Sequence, residues 1–328
     1  MKVLVTGATG FIGSHTADLL QDYDADIYCI ARSTSNMQWL EGKPFSIINA
    51  SLSHPESLQS AVKDMDMIIH VAGLTAARNE AEFMAGNRDA TKNLLEAAKL
   101  YAPNLQRFLH VSSQTVTGPS ASLQNPVNEQ SPLLPITAYG RSKKAAEEIV
   151  QTYMNDMPIT IVRPPAVYGE RDTAVLTFFQ AINRGIAPLI GFDKKKVSLI
   201  HGIDLSRGII EAAMSNNTIG EIYFISSEEF YSWDTIAEIS KQACNKKSLI
   251  SIRVPHTVVM GLAGISEFLG KFSSKPPVLN YEKGMDIIQP YWICSVEKAK
   301  EHFNWQQKIS LEQGIYRTVE WYQQNKWL

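Results

Sequence analysis

Met1-Lys2-Val3-Leu4-Val5-Thr6-Gly7-Ala8-Thr9-Gly10-Phe11-Ile12-Gly13 is the stretch whose reading decides the fold. A β-branched run gives out into three glycines spaced three apart, and a helical pattern follows at once. That is a strand, a tight turn and a helix start. Gly7 permits the turn, Gly10 lets backbone approach a ligand with no Cβ between, and Gly13 lets helix pack on strand. Unpaired N–H groups at the helix start would then face a pyrophosphate, so Thr9, Phe11 and Ile12 join the glycines as an expected dinucleotide cradle.

Working outward, residues 26–31 read as a second strand that ends at Arg32, followed by Ser33-Thr34. An acid at this point would accept both ribose hydroxyls, whereas a cation with hydroxyls suits a 2′-phosphate. NADP is therefore favoured, with NAD as the alternative. Residues 45–49 form a third strand, and Ser53-His54-Pro55-Glu56 has the pattern of a capping box opening a helix over 57–62. Residues 67–73 are apolar almost throughout, as in a parallel sheet covered on both faces, and end at Ala72-Gly73, with Gly73 expected beside the adenosine ribose. A helix over 87–98 and a strand over 107–113 follow. The strand ends in Ser112-Ser113, where open α/β sheets place their ligands. A helix opening at Tyr139 and a strand over 159–163 complete six alternations, which define an α/β, doubly wound parallel sheet of Rossmann type.

Beyond Gly169 the elements shorten and prolines separate them. The expected organisation is a dinucleotide-binding domain over 1–169 and a smaller, mostly helical substrate lobe over 170–328, with a strand near 222–225 returning to the sheet. The uncharged stretch between His256 and Glu267 is about half of a membrane span; it reads as a buried or pocket-lining helix, with an interfacial one as the alternative. Ser310-Leu311-Glu312-Gln313 is a second capping box, starting the last helix.

Composition narrows the function. Thirty-one basic against 33 acidic side chains leave a net charge of −2, which excludes a nucleic-acid footprint, and Lys194–Lys196 and Lys246-Lys247 read as solvated loops. Cys29, Cys244 and Cys294 match no metal or redox spacing, and neither do the seven histidines. With no leader pattern, the expectation is a cytoplasmic, reduced protein with no metal. Its partner would be a small-molecule substrate, and a homodimer is one option.

A tyrosine with an ordinary pKa of about 10 is a poor acid or base at neutral pH. An ammonium one helical turn away favours the phenolate. Tyr139 and Lys143 have that i, i+4 spacing, and Ser113 could hold the same substrate oxygen.

At this point the chain resembles the extended branch of the short-chain dehydrogenase/reductases, the NAD-dependent epimerase/dehydratase family. The matching pieces are residues 6–13, His70-Val71-Ala72-Gly73, Asn87 with 91–95, Val111-Ser112-Ser113, Tyr139 with Lys143, residues 163–169, and His201 with Asp204. The resemblance implies that Tyr139 is the acid/base and that Lys143 holds the nicotinamide ribose and tunes the tyrosine. Ser113 would polarise the substrate oxygen, Asn87 would order the site, and Pro165 would flank the carboxamide. Where the family often has Gly-Asp-Leu near the adenine, this chain has Ala50-Ser51-Leu52. Gln114-Thr115 replaces the Asp-Glu pair of the sugar dehydratases, so water elimination is not expected. Val197 stands where nucleotide-sugar epimerases carry a pyrophosphate-binding arginine, with Lys196, Arg171, Arg184 or Arg253 as substitutes. In character the chain is nearest the dihydroflavonol reductases and 3β-hydroxysteroid dehydrogenases. That implies hydride transfer on a bulky, lipophilic hydroxy/keto compound. The alternatives are a 4-epimerase with tightly bound NAD and an inactive dinucleotide sensor or scaffold.

Overall fold

The computed structural model describes residues 1–270 and 279–328. Its first half runs β1 (Lys2–Thr6), α1 (Phe11–Leu19), β2 (Asp26–Ala31), β3 (Ser46–Asn49), α2 (Gln59–Val62), β4 (Met67–His70), α3 (Glu80–Phe83), α4 (Ala90–Tyr101), β5 (Arg107–Val111), α5 (Ala138–Thr152) and β6 (Ile159–Arg163). The second half runs β7 (Ala166–Tyr168), α6 (Leu176–Asn183), β8 (Ile186–Ile190), β9 (Lys196–Val197), β10 (Leu199–His201), α7 (Gly202–Met214), β11 (Glu221–Phe224), α8 (Trp233–Ala243), β12 (Ile250–Val254), α9 (His256–Gly270), α10 (Tyr281–Ile288), β13 (Tyr291–Trp292), α11 (Glu297–Phe303) and α12 (Leu311–Gln324).

Seven strands form one parallel sheet in the order β11-β6-β5-β4-β1-β2-β3. Alternation along each strand divides the core. Val3, Val5, Ile69 and Leu109 face Leu205 and Ile209 of α7, while Leu4, Ile68, Phe108 and Ile161 face Leu94 and Leu95 of α4 and Val150 of α5. The order reverses between β1 and β4, and the crevice at their carboxyl ends is where such sheets bind ligands. Residues 170–328 do not form one separate body. Their α7 packs on α1, and β11 pairs with β6 at the sheet edge.

Among the described residues the lobe carries helices α6 to α12 beside three short parallel pairs, β7–β10, β8–β12 and β9–β13. Two expectations change. Ser53 caps no helix; its hydroxyl bonds Ser51 and His54 instead, so a 3₁₀ turn over Pro55–Ser57 precedes the short α2. The apolar helix α9 is neither buried nor enclosed. Val259 and Ala263 are buried, with Ala263 and Met260 lying against Gly284 of α10, while Val258, Leu262, Ile265 and Leu269 are exposed. Among the described residues, α10 covers one face of α9. The capping box at Ser310 and Gln313 forms in both directions and starts α12. Among the described residues no helix is long and apolar enough to cross a membrane, and no cluster of His, Cys, Asp and Glu could hold a metal.

Candidate active site

The glycine turn builds the cradle. Gly7 has φ +74°, and a Cβ there would lie 2.8 Å from the Ala72 nitrogen, so β1 and β4 can approach only because position 7 has no side chain. A Cβ at Gly13 would stand 2.2 Å from the Gly7 carbonyl oxygen. Gly10 donates to that oxygen at 2.9 Å and is the N-cap of α1, with no side chain capping the helix. The first N–H groups of α1 therefore stay open to an anion. These features fit a dinucleotide pyrophosphate. Phe11 and Ile12 could offer a ligand backbone alone, since the Phe11 ring packs on His15 and Ile12 packs in the core. Thr6 fixes the neighbouring β4 end, its hydroxyl accepting from the Ala72 N–H at 3.2 Å.

Around the carboxyl ends of β4 and β5 the expected chemical residues converge. Asn87 lies in a π-turn over Met84–Asp89 just before α4. Its oxygen accepts from the Leu74 N–H at 2.7 Å, and its nitrogen donates to the Leu74 carbonyl at 3.0 Å and to the Ser142 hydroxyl at 2.8 Å. Asn87 is thus a fastener between the loop after Gly73 and α5. A Cβ on Gly73 would lie 3.0 Å from the Asn87 oxygen and 3.7 Å from the Lys143 nitrogen, so the three groups share one corner. Pro165 is buried behind β6, and the Pro164 carbonyl accepts from the Gln114 N–H at 2.8 Å.

The hydroxyl of Ser113 has a set polarity. Thr115 donates to it from its backbone N–H at 3.2 Å and from its hydroxyl at 2.9 Å, leaving the Ser113 proton free to be given to Tyr139. Thr115, the residue that replaces a dehydratase carboxylate, supports Ser113 because the turn over Gln114–Val116 brings it back onto that hydroxyl, which the linear sequence does not signal.

Electrostatics correct one expectation. Burial raises the Tyr139 phenol above its ordinary pKa, and the Ser113 hydrogen bond only partly opposes this. Lys143 does not reverse it, because its ammonium is turned to the Val111 carbonyl at 2.8 Å. Burial itself pushes Lys143 down to about 8, against the opposing attraction of Glu147. Here the phenol is a protonated donor. The buried His70 bonds Thr6 and Thr91, and burial pushes it down to about 3; His110 is held neutral by the same cause.

Farther out, Arg32 is exposed beyond β2 with Ser33, and its N–H donates to the Ser35 hydroxyl at 3.1 Å. Ser51 is half-buried and its hydroxyl pairs with Ser53 at 2.9 Å, while the Leu52 carbonyl accepts from Asn93 at 2.8 Å. Val197 is buried in the apolar core of the lobe beside Leu199 and Tyr231. Arg171 is engaged by Asp18 and Ser14, Arg253 by Asp234, and Lys196 by the Phe230 carbonyl. Arg184 stands exposed just after α6.

A parallel sheet with a glycine cradle at its switch point defines a doubly wound, Rossmann-type protein. The chain belongs to the NAD dependent epimerase/dehydratase family, whose model matches residues 3–226. It is 27% identical to a ceramide reductase of Caulobacter vibrioides, over 99% of this chain and 96% of the relative. It is 28% identical to the dTDP-D-glucose 4,6-dehydratase of Mus musculus, over 99% and 89%. The crystal structure of a UDP-glucose 4-epimerase with UDP-glucose from Thermotoga maritima superposes with TM-score 0.81 at 21% identity, covering 99% of this chain and 100% of that one. The proteins it resembles thus include a lipid reductase, a sugar dehydratase and a sugar epimerase, and the family binds NAD or NADP.

Proposed function

We propose that the protein is an NAD(P)-dependent oxidoreductase that transfers a hydride between the nicotinamide and a hydroxy or keto group of a bulky, lipophilic small molecule. The observation that carries the reaction type is the set Ser113, Tyr139 and Lys143 beside the glycine cradle. When bound, the dinucleotide supplies or takes up the hydride. In reduction, the protonated Tyr139 gives its proton to the substrate oxygen as charge develops there. Ser113, oriented by Thr115, donates to the same oxygen. Lys143, close to Gly73, would hold the nicotinamide ribose. Arg32 with Ser33 supports NADP over NAD, and Gly73, Ser51 and Leu52 would border the adenosine half.

Substrate class rests on the lobe. Val197 is buried among apolar side chains, and Arg171, Arg253 and Lys196 are engaged by other groups, which leaves exposed Arg184 of the four substitutes. A nucleotide-sugar pyrophosphate would want a free cation there. Gln114 and Thr115 offer no carboxyl group for dehydration. The ceramide reductase likeness points the same way. The test is a screen of ring and lipid ketones and alcohols beside UDP- and dTDP-sugars, following reduced-cofactor absorbance and products. Net cofactor turnover on the lipophilic set, abolished in Tyr139→Phe with cofactor binding retained, is expected. Steady sugar epimerisation with no net cofactor change would overturn the reading.

A further inference from the structure

Tyr139, Lys143 and Glu147 follow one another at i, i+4 and i+8, so they lie along one face of α5. Glu147 belongs to no expected site, yet its carboxylate is completely buried. Four hydrogen bonds converge on it. The Arg163 guanidinium donates through Nε at 3.1 Å and again through Nη2; the Ser112 hydroxyl donates at 2.6 Å and Gln151 at 3.1 Å. Ser112 immediately precedes Ser113 at the end of β5, and Arg163 ends β6 immediately before Pro164-Pro165. A single carboxylate therefore joins the three elements that carry Ser113, Lys143 and Pro165.

We propose that Glu147 is a positioning residue for the hydride-transfer site: its buried carboxylate locks the ends of β5 and β6 onto α5 and sets an anion one helical turn from Lys143 on the same face. The proposal rests on the function proposed above for its meaning, but not for its test. A buried ion pair is a poor device for stability alone, since apolar replacements of similar volume often serve as well or better. Its value lies in what it holds. The groups facing Lys143 are few. From β4 comes His70 and from β5 His110, both kept neutral by burial. From α5 come Tyr139, a neutral phenol, and Glu147, which is bonded to Arg163 of β6. Glu147 is the anion among them, and it opposes the burial that pushes Lys143 down.

The test titrates Lys143 directly in the full-length protein labelled with ¹⁵N-lysine, its signal assigned by its loss in Lys143→Met. Glu147→Gln leaves the Arg163 guanidinium buried without its anion, so Glu147→Gln/Arg163→Met is made beside it to exchange the whole pair for neutral groups. The expected order of Lys143 midpoints is wild type, then the double variant, then Glu147→Gln, with the last lower than wild type by about one pH unit or more. Where Glu147→Gln does not fold, the double variant decides. A midpoint in the double variant equal to or above that of wild type overturns the proposal. The two readings fail separately, because retained turnover in Tyr139→Phe sinks the function and leaves the Lys143 titration as it was.

Discussion

Gly10 and Gly13 allow the cradle to be dissected, because a methyl group added at each meets different surroundings. At Gly13 the new Cβ would lie 2.2 Å from the Gly7 oxygen, 2.5 Å from the Gly7 carbonyl carbon and 2.9 Å from the Ala8 nitrogen. All three are backbone, so no side chain can swing aside; α1 must move away from β1. Overpacking of this kind costs about 3 kcal/mol, which for a chain of this size lowers Tm by roughly 5 °C. At Gly10 the Cβ would meet only the Gly7 oxygen, at 3.3 Å, and otherwise open space on the exposed side of the turn. Gly10→Ala should keep Tm within about 1 °C of wild type, since the neighbour need give only a few tenths of an ångström. Its methyl group would instead stand between the α1 N–H groups and a pyrophosphate bound there. Losing one charge-assisted hydrogen bond is worth about 1.5–3 kcal/mol, or roughly 10–100-fold in Kd. Thermal unfolding and calorimetric titration with NADP and NAD, done on both variants, separate the two effects. A Gly13→Ala protein that melts with wild type, or a Gly10→Ala protein that binds dinucleotide normally, would refute the assignment of roles.

Two further outcomes follow from the site. Arg32→Asp should weaken NADP by roughly 10–100-fold while sparing or improving NAD, the worth of one phosphate contact; equal loss for both cofactors in calorimetry would remove Arg32 from the site. Lys143 is held down to about 8 against an ordinary value of about 10.4, so between those pH values the unfolded chain binds the extra proton. The burden of burying the ammonium is full below pH about 8 and is relieved as pH rises toward 10.4, so the Lys143 contribution makes stability rise there, by about 3 kcal/mol in all. Denaturant unfolding of wild type and Lys143→Met across that range should show the rise in the difference between them, and parallel curves would contradict it.

Much of the nucleotide half was legible in one dimension. A β-branched run, three glycines and a helix start are contiguous, and each does its work on neighbours a few residues away, so the turn of β1 into α1 follows from local sterics. The near-continuous apolar run of 67–73 likewise required a sheet covered on both faces, whatever the order of its strands. The helix spacing of Tyr139 and Lys143 was equally local, but its consequence was not. Whether Lys143 lowers the phenol depends on where its ammonium points and on how much water reaches Tyr139, and packing turned the ammonium to Val111 and raised the phenol. The lobe shows the same limit. Its paired strands join segments as far apart as Ile186–Ile190 and Ile250–Val254, which no local period reveals, and which face of α9 is covered depends on where α10 packs. Glu147 is the sharpest case. In the sequence it is one of two adjacent glutamates on an ordinary charged helix; only the convergence of α5, β5 and β6 buries it against Arg163 and Ser112, because the partners of a buried charge are chosen by the fold and not by the chain around it.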